Sequence, residues 1–136
     1  MSETRYVVFV CLHGAAKSVL AAADFQRLAA ARGLRARAVC AGLEPDAEIS
    51  PAVVTALAGD GVDLSSERPR RLDAADLDGA WRLVSFGCDV GDVAPAALVV
   101  ERWDEVPAVS AGLEAARAAI RARLGRLLGE CERADG

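Results

Sequence analysis

Cys11, Lys17 and Ser18 fall within one short stretch, VVFVCLHGAAKS, and their types and spacing suit nucleophilic chemistry on an oxyanion. Between the cysteine and the lysine lie only Leu12, His13, Gly14, Ala15 and Ala16, mostly small residues. A loop of that kind, running from a strand into a helix N-terminus, lets several backbone N–H groups converge on one point and forms an anion nest. A cysteine beneath it would feel those amides, the helix dipole and the Lys17 ammonium, all of which favour thiolate over thiol. The Ser18 hydroxyl could add a hydrogen bond to the sulfur. A thiolate touching a bound oxyanion is placed to attack phosphorus or arsenic. Each residue alone has a plainer reading: a cysteine at a strand end is often a small buried hydrophobe, and a lysine in a first helical turn is often solvated. Their joint occurrence favours chemistry.

Alternating strands and helices are needed to position this loop, and the chain supplies them. Tyr6 to Val10 reads as a strand buried on both faces of a parallel sheet. Val19 to Arg32 reads as a helix stopped by Gly33, followed by a strand from Arg35 to Ala41. Ser50 as N-cap and Pro51 at the first helical position start a second helix, which runs to Gly59. A short helix over Asp73 to Leu77, strands at Trp81–Phe86 and Leu98–Glu101, and a long helix from Ser110 to Leu128 complete the order. Glu130 to Gly136 reads as a fraying tail. This predicts an α/β fold, a three-layer α/β/α arrangement with a four-stranded parallel sheet, in a single domain over residues 1–136. Ligands of such sheets bind outside the carboxyl ends of the strands, where Cys11 stands.

The bulk properties narrow the function class. The chain has 136 residues, is 53% hydrophobic and carries a formal charge of −4, which argues against a general nucleic-acid footprint. No apolar run is long enough to span a membrane and no secretory leader is evident, so the expectation is a cytoplasmic protein with neither nucleic acid nor membrane as partner. The four cysteines, Cys11, Cys40, Cys88 and Cys131, stand far apart and there is a single histidine, His13. That pattern suggests reduced thiols, no metal site and no cofactor.

Over nearly its whole length the sequence resembles the low-molecular-weight protein tyrosine phosphatase superfamily, which includes thioredoxin- and mycothiol-coupled arsenate reductases. VVFVCLHGAAKS resembles the family's phosphate loop, Cys, five residues, Arg, Ser. AGLEPDAEISPAVVTALAGDGVDLS resembles the following strand, helix and closing phrase, and LVSFGCDVGDVAP with RWDEVPAV resembles the reductase branch. The resemblance implies Cys11 as nucleophile, Lys17 in the arginine's place, Ser18 as thiolate partner and Leu12 to Ala16 as the oxyanion-binding loop. Gly14 takes the place of an asparagine whose backbone is left-handed in the family, a conformation glycine reaches freely.

The departures bear on mechanism. Arginine grips a tetrahedral oxyanion with two parallel hydrogen bonds, whereas lysine offers a compact charge and no fork. The family's general acid is an aspartate commonly followed by proline, and no Asp-Pro occurs here; Asp104 is the first substitute and Glu105 the second. In the segment of the reductase relay cysteines only Cys88 is present, with Ala94 at the second position, so Cys88 is the candidate redox partner of Cys11, with thioredoxin or a low-molecular-weight thiol as alternative reductant. His13 is read as a rim or surface residue and Arg68, Arg70 and Arg71 as a basic cluster that could border the pocket. Trp81 and Trp103 are read as covering the sheet rather than binding substrate. Three functions follow: a cysteine-dependent phosphatase acting on a phosphate monoester or related oxyanion, an arsenate reductase, and a catalytically weak module that binds phosphate or a phosphorylated ligand.

Overall fold

The first strand is the axis of the fold. In the computed structural model, which describes residues 5–135, β1 (Arg5–Cys11) has four successive residues, Val7 to Val10, with no exposed surface. Val7, Phe9 and Cys11 enter one core; Val8 and Val10 enter another on the opposite face. Each fully buried side chain of this size contributes about 1.5–3 kcal/mol of hydrophobic stabilisation, which is why a continuous apolar run is stable only between two covered faces.

After β1 the chain forms α1 (Lys17–Ala31) and β2 (Ala36–Gly42), which pairs parallel to β1 with Cys11 opposite Gly42. Gly33, at φ +69°, ends α1: its N–H donates to the Ala30 carbonyl and the Leu34 N–H to the Ala29 carbonyl, a Schellman closure. Next come α2 (Pro51–Gly59), a 3-10 turn at Ala74–Leu77, β3 (Arg82–Ser85), β4 (Val100–Arg102) and α3 (Leu113–Asp135). All pairings are parallel and the order is β2-β1-β3-β4. The three helices cover one face; Leu72, Leu77, Cys88 and Val90, from the 3-10 turn and its flanking loops, cover the other. The molecule is therefore a three-layer α/β/α fold whose second outer layer is thin.

Two local expectations are corrected. Ser50 makes no side-chain cap, although Pro51 does open α2; the Ser50 N–H instead donates to the Ala15 carbonyl at 2.9 Å. Residues 130–135 do not fray but continue α3. Leu124, Leu127, Leu128 and Cys131 keep one apolar stripe at helical spacing and all four are fully buried. Arg32 pairs with Glu132 at 3.0 Å and Arg5 donates to the Ala134 carbonyl, fastening the last turns.

The seam between α1 and α3 is held by charge. Asp24, 1% exposed, accepts from Arg117 at 2.8 and 3.1 Å, from Arg121 at 3.2 Å and from Arg27 at 2.9 Å. Arg117 also pairs with Asp60 just beyond α2. Burial pushes the Asp24 carboxyl up, but Arg117 and Arg121 outweigh it and hold it below the usual carboxylate range.

Candidate active site

Because β1 lies between β2 and β3, the chain turns one way out of β1 and the other way into β3. The loops after β1 and β3 thus part above the sheet and leave a crevice there. A cavity of about 630 Å³ occupies that place, with Cys11 and the loop Leu12–Ala16 on one side, Phe86 after β3 on another, and Lys17, Asp46, Glu48 and Ser110 among its other walls.

Hydrogen bonding shows how the loop is formed. The carbonyls of Leu12, His13 and Ala15 accept from the amides of Glu44, Asp46 and Ser50 at 2.7, 3.0 and 2.9 Å, and the Ala16 carbonyl accepts from Leu20. With the carbonyls turned to the periphery, no N–H from Leu12 to Ala16 donates to a backbone carbonyl among the described residues. The N-cap of α1 is Ala16, which has no side chain to cap with, and the first turn has no acidic residue. The opening amides of that helix add to the same unpaired set. Such a ring of donors is what a tetrahedral oxyanion requires.

Gly14 explains how the turn is made. Its φ is +61°, and a Cβ there would lie 2.8 Å from the Gly42 nitrogen. Gly42 is equally constrained: a Cβ on it would lie 2.6 Å from the Gly14 nitrogen. Two glycines therefore allow the loop to cross the end of β2 in near contact. Gly14 is visible in the loop motif; the role of Gly42 depends on the Cys11–Gly42 register, which no local motif reports.

Cys11 is 7% exposed, and its Sγ lies 3.1 Å from Ser18 Oγ, a fully buried hydroxyl. Lys17 is the first residue of α1 and lines the cavity, but its Nζ donates to the Val106 carbonyl at 3.3 Å and sits 5.9 Å from the centre of the Phe86 ring. Its charge is thus at the wall, braced by the loop after β4. Phe86 packs edge-on against Trp103, which is 1% exposed and belongs to an aromatic cluster with Phe9.

Other sequence candidates fall elsewhere. Asp104 is half-exposed, pairs with Arg102 at 3.1 Å and does not line the cavity; Glu105 pairs with Arg123. Cys88 is buried beneath the opposite face of the sheet from Cys11, its Sγ 3.4 Å from Ser85 Oγ. All four cysteines are free thiols. Arg70 pairs with Asp76 at 3.0 Å, Arg71 donates to the Leu43 carbonyl and Arg68 to the Glu67 carbonyl. Arg68 and Arg70 border a separate groove that also holds Cys40, whose thiol is pushed up by burial. His13 does line the cavity, with Nδ1 3.2 Å from the Glu44 carbonyl oxygen and 3.4 Å from Asp46 Oδ1. Asp46 and Glu48 are wall residues that the motif did not mark. They arrive through the strand–helix connection after β2, whose Glu44 and Asp46 N–H groups donate to the loop carbonyls, a pairing no local motif reports.

Residues 6–84 match the family model of the low molecular weight phosphotyrosine protein phosphatases, more than half of the chain. The chain belongs to that family. It is a family of phosphatases and arsenate reductases, hence of enzymes. Solved structures with the same fold include a thioredoxin-dependent arsenate reductase from Corynebacterium glutamicum, 24% identical, with a TM-score of 0.81 over 98% of this chain and 64% of that one. An arsenate reductase from Archaeoglobus fulgidus is 29% identical, with a TM-score of 0.70 over 90% of this chain and 98% of that one. A low molecular weight phosphotyrosine phosphatase from Vibrio cholerae O395 is 16% identical, with a TM-score of 0.79 over 94% and 97%. This chain thus spans somewhat under two thirds of the Corynebacterium structure. No curated protein sequence matches it significantly. Among the described residues no helix is long and apolar enough to cross a membrane.

Proposed function

We propose that this member of the family is a cysteine-dependent hydrolase of phosphate monoesters. The observation that carries the reading is the Ser18 Oγ to Cys11 Sγ contact of 3.1 Å beneath a loop whose amides have no backbone acceptor among the described residues. A binding module needs the amides but has no use for a buried hydroxyl directed at a sulfur. In this reading the Cys11 thiolate attacks phosphorus, the P–S bond forms as the ester P–O bond breaks, and water then releases phosphate and restores the thiolate. The loop amides take the equatorial oxygens and Lys17 contributes charge from the cavity wall without bidentate grip.

Arsenate reduction is the second reading, favoured by the 29% identity to the Archaeoglobus arsenate reductase. Cys11 would attack arsenic in the same nest. No second cysteine lines the cavity, so the arsenylated Cys11 would be resolved by an external thiol, thioredoxin or a low-molecular-weight thiol, rather than by Cys88. Four free cysteines suit a reducing compartment, and we place the protein in the cytoplasm.

Paired assays of wild type and Cys11→Ser on an aryl phosphate, and on arsenate with each reductant, test both readings. Cys11-dependent release of phosphate is expected. Turnover of arsenate alone would select the reductase, and tight phosphate binding without either turnover would leave a recognition module.

A further inference from the structure

An ester oxygen leaving phosphorus needs a proton. Attack from Cys11 Sγ, near the cavity floor, sends that oxygen in line toward the mouth. The proton donor must therefore be a titratable group at the mouth. Asp104 and Glu105 are held by Arg102 and Arg123 and do not line the cavity. The titratable residues that do are Cys11, His13, Lys17, Asp46 and Glu48. Lys17 already donates to the Val106 carbonyl, Asp46 faces the His13 ring, and Glu48, also exposed, has no side-chain hydrogen bond or ion pair among the described residues to orient it.

His13 is the chain's one histidine and its side chain is 55% exposed at the mouth. Its Nδ1 lies 3.2 Å from the Glu44 carbonyl oxygen, which can only accept, so Nδ1 carries a hydrogen whether the ring is neutral or charged. The exchangeable proton is then the one on Nε2. Asp46 Oδ1, 3.4 Å from the same Nδ1, is a second acceptor facing that nitrogen. The clamp is firm because the Glu44 and Asp46 amides are themselves bonded to the Leu12 and His13 carbonyls. A carbonyl and a carboxylate fixing one ring nitrogen leave the other free for proton transfer, the service an oriented imidazole performs in general acid–base catalysis.

We infer that His13 is the proton donor of the hydrolase reaction, with Asp46 as its positioning residue; the assignment rests on the hydrolase reading above. In the first step Sγ bonds to phosphorus, the P–O bond to the leaving group breaks, and that oxygen takes the Nε2 proton. In the second step Nε2 takes a proton from water as the water oxygen bonds to phosphorus and the P–S bond breaks.

The test is leaving-group dependence. 4-Nitrophenyl phosphate releases a weakly basic phenolate that needs little proton assistance, whereas phenyl phosphate needs more. His13→Gln, a change at an exposed rim position, should lower turnover of phenyl phosphate about 100-fold or more and of 4-nitrophenyl phosphate far less. Asp46→Asn should steepen the same dependence to a smaller degree, a change that a merely structural role would not produce. Equal losses on both esters, or none on either, would overturn the proton-donor assignment while leaving Cys11-dependent hydrolysis standing. No Cys11-dependent turnover of 4-nitrophenyl phosphate by wild type would instead overturn the hydrolase reading, and this role with it. Nitrogen-15 shifts of the single imidazole give an independent check: once the ring has lost its Nε2 proton the remaining hydrogen is expected on Nδ1, and a neutral ring protonated at Nε2 would overturn the assignment.

Discussion

Polar groups are treated in opposite ways along the middle and at the start of α1. Along its middle, Asp24 is sealed between α1 and α3 and every lone pair it offers is met by Arg27, Arg117 or Arg121. At its start, the amides of Leu12 to Ala16 have no backbone acceptors among the described residues and the helix has no side-chain cap. Unmet polar groups cost stability, and the open region is the one in which the hydrolase reading seats its oxyanion. Charge follows the same division: at the seam guanidinium meets carboxylate, whereas at the cavity wall the Lys17 ammonium donates to the neutral Val106 carbonyl.

Substitutions should separate the two regions by what they damage. The largest effect on stability is expected from Asp24→Asn, which leaves the buried Arg117 guanidinium with Asp60 as its one carboxylate among the described residues: a loss of about 3 kcal/mol in denaturant unfolding, with the catalytic rate per folded molecule nearly unchanged. A loss of turnover matching the loss of stability would break the division.

Acid should act on the same seam. The Asp24 pKa is lower in the folded state than in the unfolded one, so the unfolded chain binds the proton more readily. Its contribution is fully present above the ordinary carboxylate range and disappears as pH falls through the lowered folded value. Unfolding free energy measured against pH should therefore decline in acid, and the decline should be shallower in Asp24→Asn.

Gly14→Ala combines a left-handed backbone with a Cβ only 2.8 Å from the Gly42 nitrogen. Adopting the left-handed conformation alone costs about 1–2 kcal/mol. Phosphate affinity, measured by calorimetry, should fall by more than the melting temperature suggests, because relief of the clash moves the nest itself. Ser18→Ala should have the smallest effect, about a tenfold loss of turnover from one hydrogen bond to sulfur and little change in unfolding free energy. Equal turnover by wild type and Ser18→Ala would remove the observation on which the hydrolase reading rests.

Legibility in the sequence followed the range of the interaction. The β1 run, the Gly33 stop and the Pro51 start are local, because burial on two faces and backbone conformation are imposed by a few adjacent residues. Cys11, Lys17 and Ser18 were visible for the same reason: loop and helix start are contiguous, so chain order sets their neighbourhood. The end of α3 was misread because Gly129 and the charged residues after it look like a stop, while Cys131 remains on the apolar stripe that packs against the core. Asp104 stood out for its position near a proline, yet Arg102, two residues earlier, pairs with its carboxylate.

The sequence by itself determined the parallel α/β fold, the cysteine beneath a small-residue loop and the lysine at the loop's end. Only the tertiary structure decided that Gly42 lies against Gly14, that Lys17 is braced by Val106, that Cys88 lies beneath the far face of the sheet and that Asp46 faces His13. The physical reason is that backbone propensity and burial pattern act over a few residues, whereas these contacts join segments that meet only when parallel strands bring their carboxyl ends together.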